Sequence, residues 1–307
     1  MLKVCSFLPA VTQMMYDMGL EHHLYGVTFE CPEKALKEKH PVVRCILEGK
    51  EYSSLEIDKI FSESKNSDKK LYYVDEELLE LIAPDIIFTQ DVCDVCQIDT
   101  ETTEKAVAHL EKQPLLIAIT PGSLEDVFGT AITIAKALGQ EELAYEYLEK
   151  LHKRIDTVVD TLREKKVLTK RVSLIEWVDP IYNCGHWIPH QIGYAGGVDM
   201  LSNPSGDSIV TSWEKIVRYN PEVLVIAPCG FSKSRTLEEI HLLTSNEGWN
   251  TLKAVNNNAV FIADFDLFTQ SSASTLVSGI ELLAGLFHPK DIKVPKKLHP
   301  KYVKVEL

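Results

Sequence analysis

The sequence has no long apolar run and no excess of positive charge. Its longest apolar runs, such as 115–119 and 223–227, are far shorter than the ~20 residues that a membrane-spanning helix needs. Lys and Arg together number 32 against 45 Asp and Glu, which gives a formal net charge of −13 at pH 7. A surface this acidic repels phosphate backbones. We therefore expect no membrane span and no nucleic-acid partner.

Cysteine is too sparse, and odd in number, for a disulfide framework. Seven cysteines in 307 residues fit reduced thiols better than paired ones. The first residues, 1–9, also lack the basic region, apolar stretch and small-residue cleavage site of a secretory signal. We expect a cytoplasmic protein on this ground, and a periplasmic or extracellular one only if the chain is a trimmed mature form.

The common signatures of catalysis and nucleotide binding are missing as well. The sequence contains no GxxxxGK[ST] phosphate loop, no GxGxxG, no GxSxG elbow, no HExxH and no EF-hand loop. These absences argue against the usual nucleotide-binding proteins, hydrolases and metalloproteases.

Short apolar segments alternate with helical segments along most of the chain, which predicts an α/β fold with mostly parallel sheets. Between Glu141 and about Lys165 there is no Pro or Gly, and apolar residues recur at helical spacing. This stretch predicts one helix about 35 Å long. The segment 80–90 also matches 216–226 in pattern, each with a helix end, a Pro-acid turn and an apolar strand. We therefore predict two similar three-layer lobes joined by one long rigid helix.

The predicted boundaries follow from that pattern. The N-terminal lobe covers 1–121, the connecting helical region 122–168 with its helix at about 141–165, and the C-terminal lobe 169–289. Residues 290–307 form a tail that we expect to be extended or loosely attached.

Ligands of open parallel sheets bind outside the carboxyl ends of the strands, so the loops that follow the predicted strands carry the candidate site. The apolar candidates for pocket walls are Pro9, Trp177, Trp187, Phe231 and Phe268. The polar and thiol candidates are Glu30, Cys31, Gln90, Cys93, Cys96, His186 and Cys229. An apolar wall with a few polar groups is typical of a small-molecule pocket. Cys93 and Cys96 form a lone CxxC, which is open to a metal-binding, a redox or a structural interpretation.

Several motifs resemble one family over about residues 1–289. They are Ser6-x-Leu8-Pro9-Ala10-x-Thr12, Pro84-Asp85-Ile86-Ile87, Ser212-Trp213-Glu214-Lys215-Ile216 and Gly248-Trp249 with the residues that follow. Together they resemble the cobalamin- and siderophore-type substrate-binding proteins of ABC importers. The loops 90–96, 176–180, 185–189 and 227–231 resemble the cobalamin-binding-protein-like branch. The resemblance implies a ligand held between two lobes, delivery to an ABC importer, and no catalysis.

Three hypotheses follow. The first is a binding protein for a cobalamin-like corrinoid or another metal chelate. The second is a cytoplasmic metal–thiolate protein that holds zinc or a similar metal through Cys93, Cys96 and neighbouring residues. The third is an enzyme on the same scaffold, with Cys93, Cys184 or Cys229 as nucleophile and His186 as base.

Overall fold

The computed structural model describes residues 1–65, 70–90, 98 and 100–306. The chain divides into two compact units. The first comprises Met1–Tyr52, Glu56–Pro121 and Glu125–Leu148, and the second comprises Ser53–Leu55, Gly122–Leu124 and Glu149–Leu307. Each unit is built on a mostly parallel sheet, as the sequence pattern predicts. No helix within the described ranges is both long enough and apolar enough to cross a membrane.

The sheet of the first unit has the strand order β4-β3-β2-β1-β5-β6, and only the β3–β4 pair is antiparallel. Its strands are β1 (Val4–Ser6), β2 (Leu24–Thr28), β3 (His40–Cys45), β4 (Tyr72–Val74), β5 (Ile86–Thr89) and β6 (Leu115–Ala118). The helices of this part of the chain are α1 (Pro9–Asp17), α2 (Glu33–Glu38), α3 (Ser54–Lys65), α4 (Glu76–Ile82), α5 (Thr100–Val107) and α6 (Leu124–Ala137). Strand β1 lies between β2 and β5, so the loops after these three strands share one edge of the sheet.

The long predicted helix is α7 (Glu141–Glu164), and the division between the units falls within it, after Leu148. In the second unit, α7 buries Leu151, Ile155 and Val158 at helical spacing. Its Arg154 guanidinium donates two hydrogen bonds of 2.8 Å to the Glu281 carboxylate, which lies on the last long helix of the same unit.

The second unit contains the strand order β10-β7-β12-β13-β14, with β8 paired antiparallel to β7 and a separate parallel pair of β9 and β11. The strands are β7 (Lys170–Val178), β8 (Ile181–Asn183), β9 (Gly185–His186), β10 (Gly197–Val198), β11 (Asn203–Pro204), β12 (Val223–Ile226), β13 (Val260–Ala263) and β14 (Tyr302–Lys304). The helices are α8 (Ile188–Tyr194), α9 (Trp213–Tyr219), α10 (Lys233–Glu239), α11 (His241–Thr244), α12 (Lys253–Asn256) and α13 (Ala273–Phe287).

The repeated helix–turn–strand pattern recurs in both units, but the pairing from sequence is off by one residue. Helix α4 ends at Ala83 (φ 49°) and helix α9 ends at Asn220 (φ 52°), each in the left-handed conformation that ends many helices. Ala83 therefore corresponds to Asn220, whereas the sequence pairing places Pro84 opposite Asn220. The error arose because the pairing matched hydrophobic character and ignored the backbone conformation of the turn.

The acidic residue of each turn does the same structural work in its own unit. Asp85 accepts the Lys3 amide (2.6 Å) and donates its own amide to the Lys3 carbonyl (2.8 Å). Glu222 accepts the Arg171 amide (3.1 Å) and donates its amide to the Arg171 carbonyl (2.7 Å). Because both residues lie just before a strand, this double hydrogen bond sets where each strand joins the first strand of its sheet.

The C-terminal tail differs from the expectation of a loosely attached segment. Strand β14 pairs antiparallel with β13, and both Leu298 and Val305 are buried. The Lys301 ammonium also bonds to the Asp266 carboxylate at 2.6 Å. The tail is thus an edge strand of the second unit. Strand β14 was not predicted, because Lys and Pro dominate the composition of residues 290–307.

Candidate functional site

The central strands of the second unit bring three segments to one edge of its sheet. Strand β12 pairs in parallel with both β7 and β13, so the last residues of β7 (176–178) and the loops 227–231 and 264–268 lie at neighbouring strand ends. The loops also contact each other directly. The Cys229 amide donates to the Glu176 carbonyl (3.0 Å), and the Phe265 amide donates to the Phe231 carbonyl (3.3 Å). The chain therefore assembles these loops where ligands of open α/β sheets bind.

Two predicted wall residues form an aromatic pair at this edge. The rings of Trp177 and Phe231 lie 5.0 Å apart at a tilt of 53°. Trp177 is partly buried, and its indole N–H donates to the Asp179 carbonyl at 3.1 Å. The Arg235 guanidinium lies 4.6 Å from the centre of the Phe231 ring, a cation–π distance. Phe231 is only 6% exposed, so the partly exposed Trp177 ring is the member of this pair that offers a stacking face.

Two other predicted wall residues, Trp187 and Phe268, are buried as Phe231 is. Trp187 is 7% exposed and Phe268 is 0% exposed. The Trp187 indole N–H donates to the Phe268 carbonyl at 2.6 Å. Sequence position alone placed both residues in loops, but their bulk and this hydrogen bond make them part of the packing beneath the loops.

His186 lies in β9, which pairs in parallel with β11, and residues 181–187 around it are here called the His186 segment. Its amide donates to the Gly206 carbonyl (2.6 Å), its carbonyl accepts the Ser205 amide (2.9 Å), and its φ is 51°. A left-handed conformation is strained for a residue with a side chain, so these two bonds hold an unfavourable backbone in place. The imidazole is 22% exposed, with Nε2 4.0 Å from an Asp207 carboxylate oxygen. Burial lowers the pKa of His186 and the Asp207 charge opposes this, so the imidazole is neutral at neutral pH.

Glu176, in β7, is hydrogen-bonded to the His186 segment. Its Oε2 accepts hydrogen bonds from the Ser208 hydroxyl (2.5 Å) and from the Gly185 amide (3.4 Å). Burial raises the pKa of Glu176 to about 7, and the two hydrogen bonds act in the opposite direction. The side chain is therefore partly protonated near neutral pH.

The thiols differ strongly in environment. Cys229 is exposed in the loop after β12, whereas Cys184 is buried, and burial raises the pKa of Cys184 well above its ordinary value. Cys93 and Cys96 lie outside the described residues. Across 1–65, 70–90, 98 and 100–306, no group of three or more His, Cys, Asp or Glu side chains is arranged to hold a metal ion.

The candidates of the first unit follow strands β1, β2 and β5. Pro9 begins α1 directly after β1, and it is buried. Glu30 is exposed after β2, while Cys31 is buried and its thiol donates to the Thr12 hydroxyl at 3.2 Å. Burial raises the pKa of Cys31 to about 12, so this thiol stays protonated. Gln90, directly after β5, is 3% exposed.

Sequence reasoning missed two residues that shape the site, Arg235 and Ser208. The turn sequence Gly206-Asp207 marks a tight loop and was a usable signal for the segment that contains Ser208. Nothing in the sequence signals Arg235, because its contact with Phe231 depends on where helix α10 packs.

The two units, each with strand-end loops of aromatic and polar side chains on a mostly parallel sheet, define a small-molecule binding protein. Residues 76–267 match the model of the family described as periplasmic binding protein. The chain belongs to this family, which confirms the resemblance to cobalamin- and siderophore-type substrate-binding proteins. Members of the family bind substrates and are not enzymes, so the hypothesis of a cysteine nucleophile does not hold.

Solved structures show the same fold at low sequence identity. An ABC transporter substrate-binding protein from Listeria monocytogenes EGD-e is 15% identical with a TM-score of 0.70, covering 94% of this chain and 99% of its own. A periplasmic heme binding protein from Pseudomonas aeruginosa is 15% identical with a TM-score of 0.70, covering 100% and 98%. The periplasmic vitamin B12 binding protein of Vibrio cholerae is 15% identical with a TM-score of 0.63, covering 94% and 97%. A comparison with curated protein sequences finds no significant match.

Proposed function

We propose that this protein binds a metal chelate of the cobalamin-like corrinoid class at the strand ends of the second unit. The observation that carries the proposal is the Trp177 ring, which packs on the buried Phe231 ring and is itself partly exposed at the edge where β7 and β12 end. A broad, largely apolar macrocycle gains most from stacking on such a surface. The neutral, partly exposed imidazole of His186 supplies a polar contact beside it.

The fold relatives support the chemical class of this ligand. Two of the similar structures are named for heme and for vitamin B12, and both compounds are metal-containing macrocycles. We infer from the family that the bound chelate is delivered to an ABC importer. Cys229, exposed in the loop before Phe231, is a further proposed ligand contact.

The proposal is tested by quenching of tryptophan fluorescence on titration with cyanocobalamin, cobinamide, heme and a ferric hydroxamate chelate. We expect saturable quenching with at least one macrocycle. Trp177→Ala removes the stacking ring, worth about 1–3 kcal/mol, so the dissociation constant should rise about 5- to 150-fold.

Trp213→Phe is the matched control. Trp213 stacks on Trp249 in the core of the same unit, with ring centres 5.8 Å apart, and it lies in none of the strand-end loops. This variant should keep the affinity of the unchanged protein. The proposal is wrong if no member of the panel gives saturable quenching, or if Trp177→Ala binds as tightly as the control.

A further inference from the structure

Residues 203–211, here called the clasp segment, run along the His186 segment (181–187). The Asn203 amide donates to the Cys184 carbonyl (2.9 Å), and the Thr211 amide donates to the Ile181 carbonyl (2.8 Å). Between these points the Ile209 amide donates to the Asn183 side-chain oxygen at 2.7 Å. Hydrogen bonds therefore join the clasp segment to residues 181–184 of the His186 segment along its length.

Backbone contact between the two segments is closest directly before His186. A Cβ atom added at Gly185 would lie 2.5 Å from the Gly206 carbonyl oxygen and 2.6 Å from the Ser208 nitrogen. Only glycine allows this approach. The position of the His186 backbone is thus set by where the clasp segment lies.

Glu176 joins both segments to the end of β7. One carboxylate oxygen accepts a hydrogen bond from the Ser208 hydroxyl of the clasp segment (2.5 Å) and one from the Gly185 amide of the His186 segment (3.4 Å). Glu176 is followed by Trp177, and its carbonyl accepts the Cys229 amide at 3.0 Å. The Glu176 side chain therefore bonds to both segments, while its backbone bonds to the loop after β12.

The other ionisable groups around Glu176 are few. The buried Cys184 thiol feels the charges of both Glu176 and Asp199, and its raised pKa keeps it neutral. His186 follows Gly185 and Asp207 precedes Ser208, and their side chains approach each other at 4.0 Å. The interactions that shift the pKa of Glu176 are burial and the hydrogen bonds from Ser208 and Gly185.

We propose that Glu176 is a positioning residue for ligand binding. Its carboxylate acts as a clamp, because its hydrogen bonds hold the clasp segment and the His186 segment against the end of β7. This inference rests on the proposed function, because it assigns His186 to the ligand surface. An ionised carboxylate accepts stronger hydrogen bonds than a neutral carboxyl group. The clamp is therefore firmest when Glu176 is ionised, and ligand affinity should rise with pH across the neutral range.

The first part of the test needs no ligand. Hydrogen–deuterium exchange is measured at pH 8 on the full chain for Glu176→Gln, which leaves only a weaker neutral acceptor, and for Ser208→Ala, which removes the hydroxyl donor. We expect faster exchange in 184–187 and 203–210 for both variants. Ser202→Ala is the control, since the Ser202 hydroxyl donates to the Asp199 carbonyl (2.7 Å) and does not reach the clamp. Unchanged exchange in both clamp variants would overturn the proposal.

The second part measures the affinity for cobinamide and heme between pH 6 and pH 8.5. The unchanged protein should bind several-fold more tightly at the upper end of this range, whereas Glu176→Gln should bind weakly with a flat profile. Faster exchange together with an unaltered affinity profile would also overturn the positioning role. If the unchanged protein binds neither probe, the proposed function fails, and the exchange experiment still decides whether Glu176 holds the clasp segment.

Discussion

Replacing Trp187 by phenylalanine separates a core role from a ligand-contact role for this residue. The change removes the indole N–H that donates to the Phe268 carbonyl, and the buried carbonyl loses its partner. An unsatisfied buried acceptor costs about 1–3 kcal/mol. The smaller ring also leaves a cavity worth about 1 kcal/mol. We therefore expect a loss of about 2–4 kcal/mol in the free energy of unfolding.

Urea denaturation followed by far-UV circular dichroism measures this loss, and the thermal midpoint should fall by about 5–15 °C. Trp177→Phe is the reciprocal variant. Trp177 is partly exposed and bonds to the nearby Asp179 carbonyl, so its replacement should weaken ligand binding with little loss of stability. The reasoning is refuted if Trp187→Phe is as stable as the unchanged protein but binds ligand more weakly, because Trp187 would then contact the ligand.

Three further expectations concern single residues. Arg154→Ala removes two hydrogen bonds from the Glu281 carboxylate and leaves it only the Lys297 ammonium at 3.6 Å, so the change should cost about 2–3 kcal/mol in urea denaturation at pH 7. Burial alone would raise the pKa of Glu281 and Arg154 holds it below its ordinary value, so the loss should shrink as the pH falls below about 4. Ala83→Gly relieves a left-handed conformation and should raise stability by about 0.5–1 kcal/mol, and a thermal midpoint at or below that of the unchanged protein would contradict this. Burial raises the pKa of Glu176 to about 7, so ionising this residue costs more in the folded state than in the unfolded one. As the pH rises from 4.5 to about 7, the free energy of unfolding of the unchanged protein should therefore fall relative to that of Glu176→Gln. A difference that stays constant over this range would contradict the reasoning.

Local chemistry made many elements predictable from the sequence. The short apolar segment 24–28 predicts a strand and is β2, and the segment 76–82 before Pro84 predicts a helix and is α4. In α4 the signal was complete, because Asp75 accepts the Leu78 amide as an N-cap and Pro84 follows the helix. The helix predicted at about 141–165 is Glu141–Glu164, since an uninterrupted apolar stripe leaves no other fold for that stretch.

What the sequence could not show depends on long-range packing. Strand β9 was not predicted, because it pairs with β11, which lies further along the chain. The inward orientation of Trp187 depends on a carbonyl 81 residues away. The role of Glu176 likewise becomes visible only when the Ser208 hydroxyl is placed beside it. Each of these features joins segments that no local pattern connects.

The central claim is that this chain binds a macrocyclic metal chelate at the Trp177 surface. The most direct test is calorimetric titration of the purified, reduced protein with cobinamide and with heme, after metal analysis of the same sample. We expect saturable one-to-one binding of at least one macrocycle to protein that is purified without metal. Trp177→Ala should bind the same macrocycle more weakly than the unchanged protein. The absence of heat with both compounds, or one equivalent of zinc in the purified protein that is lost on changing Cys93 and Cys96 to Ser, would contradict it.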